Sequence, residues 1–146
     1  MDNAKAVVEG FGNVGSFVVD YLTQIDVKVV AVSDSKGCIY NKDGLNYEKL
    51  LEVKAETGSV INYPSGKVLE NKELFGLDVD ILIPAALPDV ITKENVEDVK
   101  AKLIVEAANL PIRDETEKIL SKKGVLVVPD ILANAGGVIS SYAEYR

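Results

Sequence analysis

Val8-Glu9-Gly10-Phe11-Gly12-Asn13-Val14-Gly15-Ser16-Phe17, residues 8–17, is the stretch whose reading decides the fold. It lies between the apolar run AKAVV (4–8) and a second apolar series at Val14, Phe17, Val18, Tyr21, Leu22 and Ile25. The first run reads as a short strand. The second, spaced i, i+3, i+4, i+7, i+8, i+11, predicts one apolar face of a three-turn helix. VKVVAV (27–32) is β-branched and reads as a second strand, ending at Ser33 and Asp34. The glycines are therefore the first turn of a strand–helix–strand unit. Gly10 permits a tight exit from the strand, Gly12 lets a pyrophosphate approach the backbone, and Gly15 lets helix and sheet pack closely. The helix start offers free amides and a partial positive charge to phosphate. Asp34 follows about 20 residues beyond Gly15, where a carboxylate can accept both hydroxyls of an adenosine ribose. The plain alternative is an ordinary strand–helix turn with Asp34 a solvated strand end; the four elements together favour a dinucleotide.

The rest of the chain repeats the alternation. Residues 35–45 are turn-rich, and Asn46 is placed to cap a helix to about Thr57, with Leu50 and Leu51 inward and Gly58 ending it. Residues 59–77 read as irregular, with one short strand near Lys67–Leu69. VDILI (79–83), KLIVE (102–106) and VLVV (125–128) each read as a strand buried on both faces, as a parallel sheet requires. Helices are expected at 92–100, with Thr92 as cap and an Ile91–Val96 staple, and at 114–122, where Asp114 and Glu117 have capping-box spacing. The last segment, 131–146, is expected to become helical after Gly137. Strand–helix alternation of this kind implies an α/β fold, doubly wound, with a mostly parallel sheet of Rossmann-type topology and right-handed crossovers. Residues 1–146 are expected to form a single domain; its first strand starts just after Met1 and Arg146 falls within a helix, which predicts an origin in a longer polypeptide.

Composition narrows the function. With 23 acidic against 16 basic residues the net charge is -7, which argues against neutralising the phosphates of nucleic acid. No apolar run approaches the roughly 20 residues of a membrane span. A single cysteine, Cys38, leaves no internal disulfide, and an intracellular, cytoplasmic setting is expected. There is no histidine, which removes the commonest general base and metal ligand, and no metal site is expected. Binding is the better expectation than self-contained catalysis.

The other strand ends agree. ILIPAAL (81–87), VEAANLP (105–111) and VVPDILANAGG (127–137) each pass from a strand into small residues, where open α/β sheets bind their ligands. Ala85, Ala86, Ala107 and Ala108 would let a flat cofactor lie close to the backbone. Asn109 and Asn134 offer amides to a ribose or carboxamide, their plainer use being turns and caps.

GFGNVGSF, AVSDSKGCIYN, DGLN, DILIPAAL, EAANLP and DILANAGGVISSY, in this order, closely resemble the cofactor-binding domain of glutamate dehydrogenases, over nearly the whole chain. The resemblance is nearer to these than to the leucine or phenylalanine dehydrogenases that share the fold. It implies that Gly10, Phe11, Gly12, Asn13, Val14 and Gly15 form the pyrophosphate loop, and that Ser33, Asp34 and Ser35 surround the adenosine ribose. Ala85, Ala86, Ala107, Ala108 and Asn109 would lie along the cofactor, with Asn134 near the nicotinamide. It also implies oxidative deamination of glutamate by a parent enzyme, a homo-hexamer, whose substrate domain carries the catalytic lysine and carboxylate; no glycine-rich lysine motif of that kind occurs here. The isolated domain is expected to be a monomer or weak dimer that binds dinucleotide without turnover. Three positions depart from the family: Ala107 where many members have glycine, Leu110 where glycine or methionine is common, and AEYR in place of an aromatic-rich helix. Asp34 favours NAD, while Lys36, Ser33 and Ser35 leave NADP open. The competing classes are another amino-acid dehydrogenase, a non-catalytic NAD(H) sensor, for which no basic effector helix is evident, and a structural α/β domain with a vestigial loop.

Overall fold

The computed structural model describes residues 3–129. Seven strands, β1 (Lys5–Glu9), β2 (Lys28–Asp34), β3 (Gly37–Tyr40), β4 (Lys67–Leu69), β5 (Ile81–Pro84), β6 (Leu103–Val105) and β7 (Leu126–Val128), form one sheet in the order β4-β3-β2-β1-β5-β6-β7. Pairing is parallel from β2 through β1, β5 and β6 to β7, and antiparallel for β2–β3 and β3–β4. Three α-helices accompany them among the described residues: α1 (Asn13–Gln24), α2 (Tyr47–Thr57) and α3 (Asp114–Lys122). Strand order reverses direction at β1. From there α1 and α2 pack on one face, against Ala6, Val8, Val29 and Val32, while α3 packs on the other, against Val7, Leu82 and Ile104. The expected α/β, doubly wound, mostly parallel sheet is what the chain forms.

Helix ends follow local chemistry. The side chain of Asn46 accepts the Lys49 amide at 2.8 Å and starts α2; Gly58, at φ 79°, ends it and donates to the Lys54 carbonyl. α1 stops at a Schellman turn. Asp26 takes φ 59°, and the amides of Asp26 and Val27 donate to the carbonyls of Thr23 and Leu22.

Several expectations are corrected. α1 buries Gly15, Val19 and Leu22; of the stripe read from the sequence only Leu22 is buried and Val18 half-buried, while Val14, Phe17, Tyr21 and Ile25 are exposed, Phe17 at 74% and Tyr21 at 63%. The requirement that Gly15 face the strand turn fixes the helix rotation, and Val14, Phe17, Tyr21 and Ile25 turn outward as a consequence. Phe17, Tyr21 and Ile25 border a groove of about 520 Å³ floored by Ile81, Ile83, Leu103 and Val105. On α2, Leu50 is buried but Leu51 is exposed. The expected helix at 92–100 is a turn followed by a single 3-10 turn, Val96–Asp98. There the Asn95 side chain bonds the Thr92 amide and the Val90 carbonyl, offering the backbone an alternative to helix. The staple pair Ile91 and Val96 is nevertheless buried. α3 has Arg113 at its cap position with no capping side chain, so Asp114 and Glu117 act through the helix dipole instead of a capping box. Among the described residues β7 is an edge strand with Leu126 exposed, not a strand buried on both faces. β3 falls inside the stretch that reads as turns; it pairs with β2 through a two-residue hairpin at Ser35 and Lys36.

Candidate dinucleotide site

The C-terminal ends of β1, β2, β5 and β6 converge where the strand order reverses, the place at which open α/β sheets carry ligands. At the end of β1 the chain turns sharply. Gly10 has φ 96°, and a Cβ built on it would stand 2.5 Å from the Ala86 Cβ, so the turn and the end of β5 are in direct contact. Gly10 donates its amide to the Ser33 hydroxyl at 3.0 Å. Phe11 drops its ring into the core, leaving only its backbone at the rim.

Gly12 and Gly15 answer to different constraints. A Cβ on Gly15 would sit 1.9 Å from the Gly10 carbonyl oxygen, so helix and turn touch only because this residue has no side chain. A Cβ on Gly12 would have nothing within 4 Å. Gly12 faces open space from an ordinary backbone conformation, φ -95°, and is the cap residue of α1. No side chain caps that helix and no acidic residue lies in its first turn. The first amide to find a carbonyl within the turn is that of Ser16, on Gly12. The amides of Asn13, Val14 and Gly15 precede it, and with the helix dipole they make an anion-receptive end.

At the end of β2, Asp34 is tied into the fold. One carboxylate oxygen accepts the Lys36 amide at 2.9 Å and the Ser59 hydroxyl at 3.0 Å; the other accepts the Val60 amide at 2.9 Å and Lys54 Nζ at 3.2 Å. Its side chain is 5% exposed. A carboxylate has about four acceptor positions, and these four donors occupy them. Burial pushes its pKa up, but the amides of Lys36 and Val60, with Lys54 and Ser59, outweigh burial and hold it below the ordinary carboxylate range. Ser33 is 2% exposed and sits beneath the turn. Ser35 and Lys36, at the hairpin tip, are exposed.

At the end of β5, the Glu9 carboxylate accepts the amides of Ala85 at 3.2 Å and Ala86 at 3.1 Å. Burial raises its pKa, partly offset by the amides of Ala86, Ala85 and Leu87. The amides of Ala107 and Ala108 both donate to the Pro84 carbonyl at 2.9 Å, bringing the β6 end against the β5 end. Asn109 and Leu110 are exposed, with Leu110 at φ 46°. The turn residues Gly10–Gly15, Ser33, Ala85, Ala86, Ala107 and Ala108 thus lie at the C-terminal ends of neighbouring strands, with Asn109 exposed just beyond β6 and Asp34 turned into the protein. Asn134 lies outside the described residues. Glu9, Lys54 and Ser59 join the site without any signal in the sequence. Nothing there announces that Asp34 meets partners 20 and 25 positions away.

Among the described residues, no group of three or more His, Cys, Asp or Glu is placed to hold a metal. No helix among them is long and apolar enough to cross a membrane.

Sheet order, turn and uncapped helix define a Rossmann-type α/β domain. Comparison with known proteins narrows the class. All 146 residues match the family described as Glutamate/Leucine/Phenylalanine/Valine dehydrogenase, and the chain belongs to that family. It is 49% identical over 145 residues to the NADP-specific glutamate dehydrogenase of Saccharolobus shibatae, covering 99% of this chain and 34% of that one. It is 45% identical over 145 residues to the NAD-specific glutamate dehydrogenase of Staphylococcus aureus, covering 99% and 35%. The hetero-hexameric glutamate dehydrogenase of Thermus thermophilus, in its Leu-bound form, superposes with a TM-score of 0.90 at 36% identity, over 99% of this chain and 34% of that one. The chain spans about a third of the length of the curated relatives it matches.

Proposed function

We propose that this chain is the cofactor domain of a glutamate dehydrogenase and that it binds a nicotinamide dinucleotide across the strand ends. The observation that carries the reading is Gly12: an exposed glycine with empty space where a side chain would be, at the start of an uncapped helix. The pyrophosphate would lie against the turn Gly10–Gly15, on the amides of Asn13, Val14 and Gly15. Ser33 supports that turn from beneath. Ala85 and Ala86 on one side, and Ala107, Ala108 and Asn109 on the other, would border the nicotinamide half, with Asn134 assigned to the same end.

When bound, the nicotinamide supplies the hydride acceptor for oxidation at the α-carbon of glutamate; addition of water to the resulting imine releases 2-oxoglutarate and ammonia. This domain's part is to hold and orient. The proton-transferring lysine and carboxylate are assigned to a substrate domain of the parent chain, and the parent to a hexamer, as in the Thermus relative. A cytoplasmic setting fits the single thiol, Cys38, which is buried with a pKa pushed up to about 12 by burial and by the nearby Glu73.

Both cofactors are expected to bind. Asp34 favours NAD only if its carboxylate is free to grip the 2′-hydroxyl, and here its acceptor positions are filled and Lys54 offsets its charge. The exposed hairpin tip, Ser35 and Lys36, is compatible with either ribose. Calorimetric titration with NADH and NADPH tests the reading: binding of both, within about tenfold of one another, is expected. Failure of either to bind would overturn it. With glutamate and either cofactor, the chain by itself should show no turnover.

A further inference from the structure

Glu9 is the second carboxylate of the site, and nothing in the cofactor chemistry above uses it. It occupies the last position of β1, immediately before the turn, and is 6% exposed. Its carboxylate does not point into the crevice. It reaches across to β5 and takes the Ala86 amide at 3.1 Å and the Ala85 amide at 3.2 Å. The Ala85 amide also donates to the Glu9 main-chain carbonyl at 2.8 Å, so a main-chain bond and a side-chain bond anchor the same loop to the same residue.

The consequence is geometric. With their amides drawn inward onto Glu9, Ala85 and Ala86 are held as the β5 wall. The Ala86 Cβ abuts Gly10, where even an added methyl carbon would be 2.5 Å away. Gly10 is held from the opposite side by Ser33. The turn is therefore clamped between β2 and β5, and the position of the β5 wall relative to the turn depends on the Glu9 carboxylate. We infer that Glu9 is a positioning residue for the dinucleotide: by gripping the Ala85 and Ala86 amides it fixes the width of the crevice between the phosphate turn and the wall along which the cofactor's second half lies. The inference rests on the proposed dinucleotide site and adds to it a residue that touches no part of the ligand.

Because Glu9 acts on the β5 wall and leaves the adenosine side alone, its loss should discriminate between ligands. Full-length Glu9→Ala and Glu9→Gln proteins are titrated with NADH, followed by its fluorescence, and with 5′-AMP, followed by calorimetry; a thermal melt is recorded for each. Glu9→Ala is expected to weaken NADH at least about tenfold, because the Ala86 amide loses its acceptor and the Ala85 amide keeps only the Glu9 main-chain carbonyl, and to change 5′-AMP by less than about threefold. Glu9→Gln, which keeps an acceptor oxygen, is expected to restore NADH affinity to within about threefold of the parent. Should Glu9→Ala fail to fold, Glu9→Gln is read with Glu9→Leu, which removes the acceptor while retaining apolar volume. Equal losses for NADH and 5′-AMP, or NADH affinity unchanged in both the alanine and leucine variants, would overturn the inference while leaving the dinucleotide site standing. A parent protein that binds neither ligand would overturn both.

Discussion

The turn at Gly10–Gly15 and the knot around Asp34 lie at the ends of neighbouring strands and have opposite hydrogen-bond states. At the turn, α1 starts without a cap, its leading amides have no acceptor among the helix carbonyls, and Gly12 opens on empty space. At the knot, one carboxylate is met by two amides, a hydroxyl and an ammonium group, all contributed by the chain. Buried polar groups in folded proteins find partners, as Asp34 does within the chain, whereas the exposed amides at the helix start remain available to solvent or a ligand. On the proposed reading the turn is left open for a ligand while Asp34 serves the fold, although a sequence motif treats both as parts of one fingerprint.

Substitutions can break this comparison. Gly15→Ala should have the largest effect, because its Cβ would overlap a backbone oxygen that has nowhere to go. A loss of about 3 kcal/mol or more in a denaturant melt is expected, with dinucleotide binding lost alongside. Asp34→Asn should come next. It exchanges a saturated acceptor for a group that must turn an NH₂ toward donors, costing about 2 kcal/mol. Its NADH affinity should shift by less than about threefold, and a tenfold loss of affinity at unchanged stability would return Asp34 to the ribose. The pH dependence has a definite sign. A carboxyl whose pKa is depressed by folding contributes in full above its unfolded value, near about 4, and the contribution fades as pH falls through the folded value. The parent should therefore lose stability more steeply than Asp34→Asn as pH drops below about 4.

Gly12→Ala sharpens the contrast from the other side. The added methyl meets no atom of the protein, so stability should stay within about 1 kcal/mol. NADH binding should weaken about tenfold or more because the methyl occupies the pyrophosphate's approach. The smallest effect is expected at Leu110, an exposed residue with φ 46°. Leu110→Asn, better suited to the left-handed region, should raise stability by about 0.5–1 kcal/mol in the same melts.

Much of this architecture is legible in the sequence. The strand–turn–helix–strand unit, the three later strands, the Asn46 and Gly58 caps of α2 and the extent of α3 follow from period, β-branching and capping chemistry, all local properties. Illegible features depend on distant partners. Val14, Phe17, Tyr21 and Ile25 have regular helical spacing, yet the orientation of α1 is dictated by the contact of Gly15 with Gly10, which periodicity cannot weigh against an apolar stripe. The segment at 92–100 has a cap and a staple, but Asn95 folds back on its own backbone and Lys123 holds the carbonyls of Val96 and Glu97 from α3's end. In the site, the glycines could be assigned from the turn alone. The engagement of Asp34 by Lys54, Ser59 and Val60, and of Ala85 and Ala86 by Glu9, arises from strand order and leaves no local trace.

The hairpin joining β2 to β3 has a practical corollary. Because Asp34 pairs directly with Gly37, Ser35 and Lys36 are the whole of the connection, and they are exposed at its tip without supporting the core. That dipeptide is therefore an interchangeable cassette: its two side chains can be exchanged with the sheet on either side left as it is.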